Sequence, residues 1–262
     1  MAAFSQTIDI TTSPPFSGEV NNTTDNTYAA MAAGLGTNTA SRAEAKLTTG
    51  ATPTVFSLLS RGNFGFDLTT SLLPYDIFRA TAATLRVGIY SVTTTVGHMW
   101  TNDNACGIGL TVLNDATKAN NTLEPDGFQA IRAGGYSEVS SRLPFTSCTP
   151  GSAHTFTINQ TGLDYINTVR SKAAHTNYAF FGICFGGEID SLTPTWGPNA
   201  VNSVELDSSS GTYPARLNIT YEAIAQINIG DVWKDVSGIK INVGDVWKDV
   251  VDLNINIGDV WK

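Results

Sequence analysis

The side chains able to do chemistry are few and scattered. Two carboxylates stand close together in Gly186-Gly187-Glu188-Ile189-Asp190, beside an apolar run of strand length. A glycosidase holds its carboxylate pair across a cleft, about 5–10 Å apart. Spacing along one chain does not define such a cleft, so Glu188 and Asp190 are read as loop residues. A structural Ca²⁺ site is the alternative, because hard cations take clustered loop oxygens. Trp100 and Trp196 are the candidate glycan contacts, with packing in the core or at a rim as the competing role. His98, beside Trp100, has no partner within its segment and is read as a solvated or packed loop residue.

Cys106, Cys148 and Cys184 are an odd, sparse set without metal-ligand spacing, and His98, His154 and His175 lie far apart. Buried free thiols are the expectation, with a Cys106–Cys148 pair as the other option. The chain holds no Gly-x-Ser-x-Gly elbow, His-Glu-x-x-His helix, P-loop or Gly-x-Gly-x-x-Gly. No catalytic residue, no metal ligand set and no cofactor is expected beyond the Ca²⁺ option.

The elements that must position these residues are strands. Of the 262 residues, 42% are hydrophobic, only 15% are charged, and 24 are glycine. Long helices need far more Glu, Lys, Arg and Gln. The net charge of -8 argues against a nucleic-acid partner. No apolar run of about 18 residues is present to span a membrane. Met1-Ala2-Ala3-Phe4-Ser5-Gln6 lacks the basic and apolar regions of a Sec-type signal peptide.

Residues 1–50 read as an N-terminal strand or arm and a lead-in segment, with Gln6-Thr7-Ile8-Asp9-Ile10 strand-like. Residues 51–226 read as a β-sandwich. Val55–Asp67 has apolar residues in near alternation around Phe64 and Phe66, and Leu72-Leu73-Pro74 breaks it. In Ala83–Val92, Leu85, Val87 and Ile89 share one face. Gly107–Leu113, His154–Asn159, Tyr178–Phe185 and Ala215–Glu222 read as further strands. Thr161–Val169 is the one convincing helix, with Leu163, Ile166 and Val169 recurring at i, i+3, i+6. A second short helix is expected near Phe128–Arg132.

Residues 227–262 are a repeat. Ile227-Asn228-Ile229-Gly230-Asp231-Val232-Trp233-Lys234-Asp235-Val236 returns from Ile241 and again, shortened, from Ile255. Each unit is two β-rich pieces joined across Gly-Asp, which suits a hairpin. Two registers remain open. A two-residue loop pairs Val243 with Val246, and a three-residue loop pairs Ile241 with Trp247. Ile227, Ile241, Ile255, Trp233, Trp247 and Trp261 are the candidate assembly or docking residues, since stacked units would bury the Ile and Trp rows. Sugar stacking on the tryptophans is the competing reading.

Two stretches carry a family resemblance. Leu59–Leu68 with Leu73-Pro74 and Ala82–Val87 is similar to the opening of the DNRLRE-like jelly-roll modules. Phe156-Thr157-Ile158-Asn159-Gln160-Thr161-Gly162-Leu163, followed by Phe181-Gly182-Ile183, resembles their strand–helix and later strand. Pro194-Thr195-Trp196 and Gly211-Thr212-Tyr213-Pro214-Ala215-Arg216-Leu217-Asn218-Ile219-Thr220-Tyr221 resemble their last section. The likeness spans about residues 20–222 and departs at Cys184, where the family often has Arg, and over Gly97–Cys106. The C-terminal units are similar to tandem tails of tailed-phage structural proteins.

The resemblance implies an all-β jelly-roll β-sandwich with one short helix and a C-terminal β-hairpin array. It implies a non-enzymatic bacteriophage virion protein of capsid-decoration, head-fibre or tail-fibre type. Its partners would be other virion proteins and further copies of itself, with a homotrimer as the expected form. The alternative is an adhesin that binds a host surface glycan through the sandwich.

Overall fold

The computed structural model describes residues 3–9, 17–22, 27, 28, 30, 37–39, 42–52, 55–68, 78–94, 100, 103–112, 138–170, 178–194, 197–207, 212–223, 225–229, 232–236, 240–243, 246–249, 256, 257, 260 and 261. The fold is all-β. Strands β1 (Ala3–Asp9), β2 (Ser17–Asn22), β3 (Thr37–Thr39) and β4 (Glu44–Thr49) precede β5 (Phe56–Asp67) and β6 (Phe78–Thr94). A one-turn helix α1 (Asp103–Cys106), β7 (Ile108–Val112), a 3₁₀ turn (Phe145–Ser147) and β8 (Ala153–Thr157) follow. Helix α2 (Gln160–Arg170), β9 (Tyr178–Phe185), a one-turn helix α3 (Gly186–Ile189), β10 (Val201–Leu206) and β11 (Arg216–Ala223) complete the sheet. Among the described residues α2 is the one helix longer than a single turn, and no helix is long and apolar enough to cross a membrane.

All eleven strands join one antiparallel sheet that curls over a single core. The long strand β6 makes the curl. Its first part pairs with β11 on one edge and β8 on the other, and its last residues pair with β10. Leu85, Val87 and Ile89 point into the core from β6 while Tyr90 is exposed, as the alternation requires. Strand β5 plays the same part on the opposite side. At twelve residues it is about 40 Å long, enough for several partners. It takes β4 and then β9 along one edge and β2 along the other. Gly62 lies where β4 begins to run beside β5. A Cβ there would sit 2.8 Å from the Glu44 nitrogen, so only a bare backbone fits.

The described strands before residue 50 are part of this sheet. Strand β1 pairs with β11 from Ala3↔Glu222 to Asp9↔Arg216, and β4 bridges β5 and β10. Those strands need partners from the middle and end of the chain, which a reading of local pattern does not supply.

Helix α2 shows why the Asn-x-Thr-Gly-Leu stretch folds as it does. Asn159 caps it, its Oδ1 accepting from the Gly162 amide at 3.2 Å. Leu163, Ile166 and Val169 are buried together. Asn167 then fastens the helix to β6, accepting from the Ala80 amide at 2.9 Å and donating to its carbonyl at 3.0 Å. The Tyr165 hydroxyl accepts from the Phe180 amide at 2.9 Å. The helix expected near residues 128–132 lies outside the described residues.

The C-terminal repeat forms three separate two-stranded sheets: β12 (Ala225–Ile229) with β13 (Val232–Val236), β14 (Lys240–Val243) with β15 (Val246–Asp249), and β16 (Asn256–Ile257) with β17 (Val260–Trp261). The register is the same in each. Ile229↔Val232, Val243↔Val246 and Ile257↔Val260 close the hairpins, leaving Gly-Asp for the turn. The two-residue loop is therefore the register adopted, and Ile241 faces Lys248 rather than Trp247.

Candidate functional site

The densest group of ionisable side chains lies where β9 turns into α3. Strand β9 is apolar along its length because both faces are covered, and it delivers Cys184 and Phe185 to the core. The chain then turns at once, and the Gly186 amide donates to the Gly107 carbonyl at 2.8 Å. Gly187 lies flat under the Trp100 indole. A Cβ on Gly187 would fall 2.1 Å from Trp100 Cε2. The indole is held there by its Nε1 donating to the Leu192 carbonyl at 3.2 Å, and it packs against Phe185 and Tyr28.

This turn buries Glu188. Its side chain and that of Arg61 are both 0% exposed. Arg61 Nε donates to Glu188 Oε1 at 2.9 Å, and the Arg61 Nη2 lies 2.8 Å from the same oxygen. Oε2 has no hydrogen-bond partner among the described residues. Desolvation pushes the Cys184 thiol well above the ordinary cysteine range, and the Glu188 carboxylate pushes it further. Cys184 is thus a protonated core thiol, not a nucleophile.

At the rim the guanidinium of Arg142 joins two carboxylates. It donates to Glu138 at 2.7 and 3.2 Å and to both oxygens of Asp190 at 2.7 Å. The hydrogen bond from Arg142 is the main cause of the lowered Asp190 pKa. Two of the carboxylates expected to lie in a loop thus part company. Glu188 is not a loop residue but half of a buried ion pair, and Asp190 sits at the surface on Arg142. Each is paired with an arginine, Glu188 with Arg61 in the core and Asp190 with Arg142 at the rim. Among the described residues no group of three His, Cys, Asp or Glu is placed to hold a metal ion.

Other candidates resolve into packing. Trp100 is only 5% exposed, so it cannot offer a face to a glycan; the core takes its ring instead. Trp196, His98 and His175 lie outside the described residues. His154 packs edge-on against Phe156 at 4.5 Å, and burial lowers its pKa. Cys106 and Cys148 are free and buried. The Cys106 thiol donates to the Trp100 carbonyl at 3.2 Å, and the Cys148 thiol sits 3.6 Å from the Pro144 carbonyl. Desolvation raises both, Cys148 to about 12. A thiol reagent added to folded protein at neutral pH should leave all three cysteines unmodified, and denaturant should expose three reactive thiols. Fast labelling of Cys184 in the native protein would contradict its placement.

Among the hairpins only the backbone register is defined for the candidate residues. It puts Trp233 opposite Asn228, Trp247 opposite Asn242 and Trp261 opposite Asn256. Ile227 and Ile241 stand opposite Lys234 and Lys248, on the other face. The register thus places the Ile and Trp rows on opposite faces of the first two hairpins. Ile255 lies outside the described residues.

Reading the sequence did not single out Arg61, Glu138 or Arg142. One signal was present for Arg61: a lone charge inside the apolar run from Phe56 to Phe66. No family model matches the chain, and no curated protein matches it.

Proposed function

We propose that this chain is a non-enzymatic structural protein of a bacteriophage virion, of capsid-decoration, head-fibre or tail-fibre type. In this reading the C-terminal hairpins dock the protein and the β-sandwich is displayed. The observation that carries it is the repeat: three units of one sequence, each a hairpin of one register, joined to a β-sandwich. The likeness of residues 20–222 to the DNRLRE-like modules, and of the repeat to tandem tails on tailed-phage structural proteins, supports the same reading.

The test is incorporation. Phage carrying the full-length gene should contain the protein in purified particles, and phage encoding residues 1–226 alone should not. A truncated chain that still enters particles at the full-length level would sink docking through the repeat. Absence of the full-length protein from particles would sink the virion assignment itself.

A further inference from the structure

Among the described residues, strand β8 pairs with β6 and with no other strand. The phase of that pairing is fixed at both ends. The Ile89 amide donates to the Ser152 carbonyl at 2.8 Å, and the Ile158 amide donates to the Ala83 carbonyl at 2.9 Å. The register between them runs without a shift, from Thr84↔Thr157 to Gly88↔Ala153. Bonded residues alternate along an antiparallel ladder, so His154 and Phe156 turn their backbone groups to β6. Ala153 and Thr155 turn theirs, with the Thr157 amide, to the outside. The side chains of Ala153, Thr155 and Thr157 are exposed as well.

An open edge of this kind is a template for another strand, and sheets commonly blunt one with Lys, Pro, a bulge or a covering segment. Strand β8 reads Ala153-His154-Thr155-Phe156-Thr157 and has neither Lys nor Pro, and its register has no bulge. Strand β7 shows the contrast. Its outer side is covered by residues 138–143, with the Val139 amide on the Leu110 carbonyl at 3.0 Å and two bonds of 2.9 Å between Ile108 and Leu143. The same segment closes the lane beside β8 only from residue 158 onward. There Ser140 bridges to Ile158, and the Asn159 amide reaches the Val139 carbonyl at 2.7 Å. The open stretch is the five residues of β8, about 17 Å long.

We propose that this stretch binds an extended segment of another protein, which adds to the sheet as one more antiparallel strand. Main-chain hydrogen bonds to Ala153, Thr155 and Thr157 hold it. Its side chains alternate. Hydroxyl-bearing residues lie beside Thr155 and Thr157 on the exposed face, where Thr–Thr pairs favour adjacent strands, and apolar ones lie beside Phe156 on the inner face. The edge of a second copy does not fit. With the two Thr155 residues face to face, Ser152 and Gly151 of each chain fall opposite Ile158 and Asn159 of the other, in the lane that Val139 and Ser140 already fill. This contact is separate from the hairpins and does not depend on the virion assignment.

Residue-resolved amide hydrogen exchange on the full chain, with and without a heptapeptide of alternating Thr and Val, is the test. In the protein alone the Thr155 amide should exchange freely while the Phe156 amide is protected. Peptide should slow exchange at Thr155 by about tenfold once about nine-tenths of the sites are filled, because only the empty fraction exchanges. Thr155→Pro removes the outward donor and leaves the bonds to β6, a position where an edge strand tolerates proline. That variant should keep its thermal transition and lose the peptide. The same peptide N-methylated at every threonine should not bind the unaltered chain, which tests the inference without any variant. Absence of binding at millimolar peptide overturns the inference, as does binding that survives Thr155→Pro or N-methylation. A Thr155 amide already protected in the protein alone, and more so at higher protein concentration, overturns it too, because a further copy then fills the edge.

Discussion

Arg61→Leu is expected to lower the free energy of unfolding by about 3–5 kcal/mol, because it strands the Glu188 carboxylate in the core without a counter-charge. Both side chains are fully buried and share one short contact. A domain of this kind is stabilised by only about 5–15 kcal/mol in all, so this single change removes a large part of it. The double substitution Arg61→Leu, Glu188→Leu is expected to cost less than either single one, since an apolar pair replaces a buried ion pair at little or no loss. Chemical denaturation of the three variants measures both values. A single substitution costing below about 1 kcal/mol, the worth of an exposed pair, would show that water reaches the site.

Gly187→Val is the second large effect. The glycine carries the indole of Trp100 on its bare backbone, and any Cβ there overlaps the ring. Overpacking of a well-filled core costs about 1–3 kcal/mol, and more when a rigid ring must move. Trp100 is pinned by its bond to Leu192 and its contacts with Phe185 and Tyr28, so the upper end is expected. The turn that displaces Trp100 also carries Glu188, so the change should loosen the ion pair as well. Combining Gly187→Val with Trp100→Ala should restore part of the loss, read as a positive coupling energy in the double-mutant cycle. Additive losses would mean that the ring is not what Gly187 makes room for.

How much of this was legible in the sequence depends on the range of the interaction involved. Strand β9 is read end to end, because seven apolar residues around a single glycine make an apolar run of strand length. Helix α2 is legible from Leu163, Ile166 and Val169, and β6 from the alternation of Leu85, Val87 and Ile89. These are local patterns. The Arg61–Glu188 pair joins residues 127 positions apart and leaves no local trace beyond a charge set in an apolar run. Glu188 reads as a loop residue because Gly186-Gly187 marks a turn, and only the packing of Trp100 over that turn shows it to be buried. The hairpin register hangs on whether two or three residues make the turn, and the units permit either until the strands are paired.

The pairing of β1 with β11 sets an order of events during synthesis. The hydroxyl of Thr7 donates to Asn218, and Ser5 meets Thr220 across 215 positions of sequence. Until β11 is made, the first strand has no place in the sheet, and contacts of such long range form late and slowly. The hairpin tail begins at Ala225, directly after β11 ends at Ala223. On the ribosome, the hairpin repeats are therefore translated only after every strand of the sandwich. A chain that terminates early thus lacks both the strand that closes the sheet on β1 and every hairpin that follows it, so the polypeptide order makes sheet closure and possession of the repeats one late event.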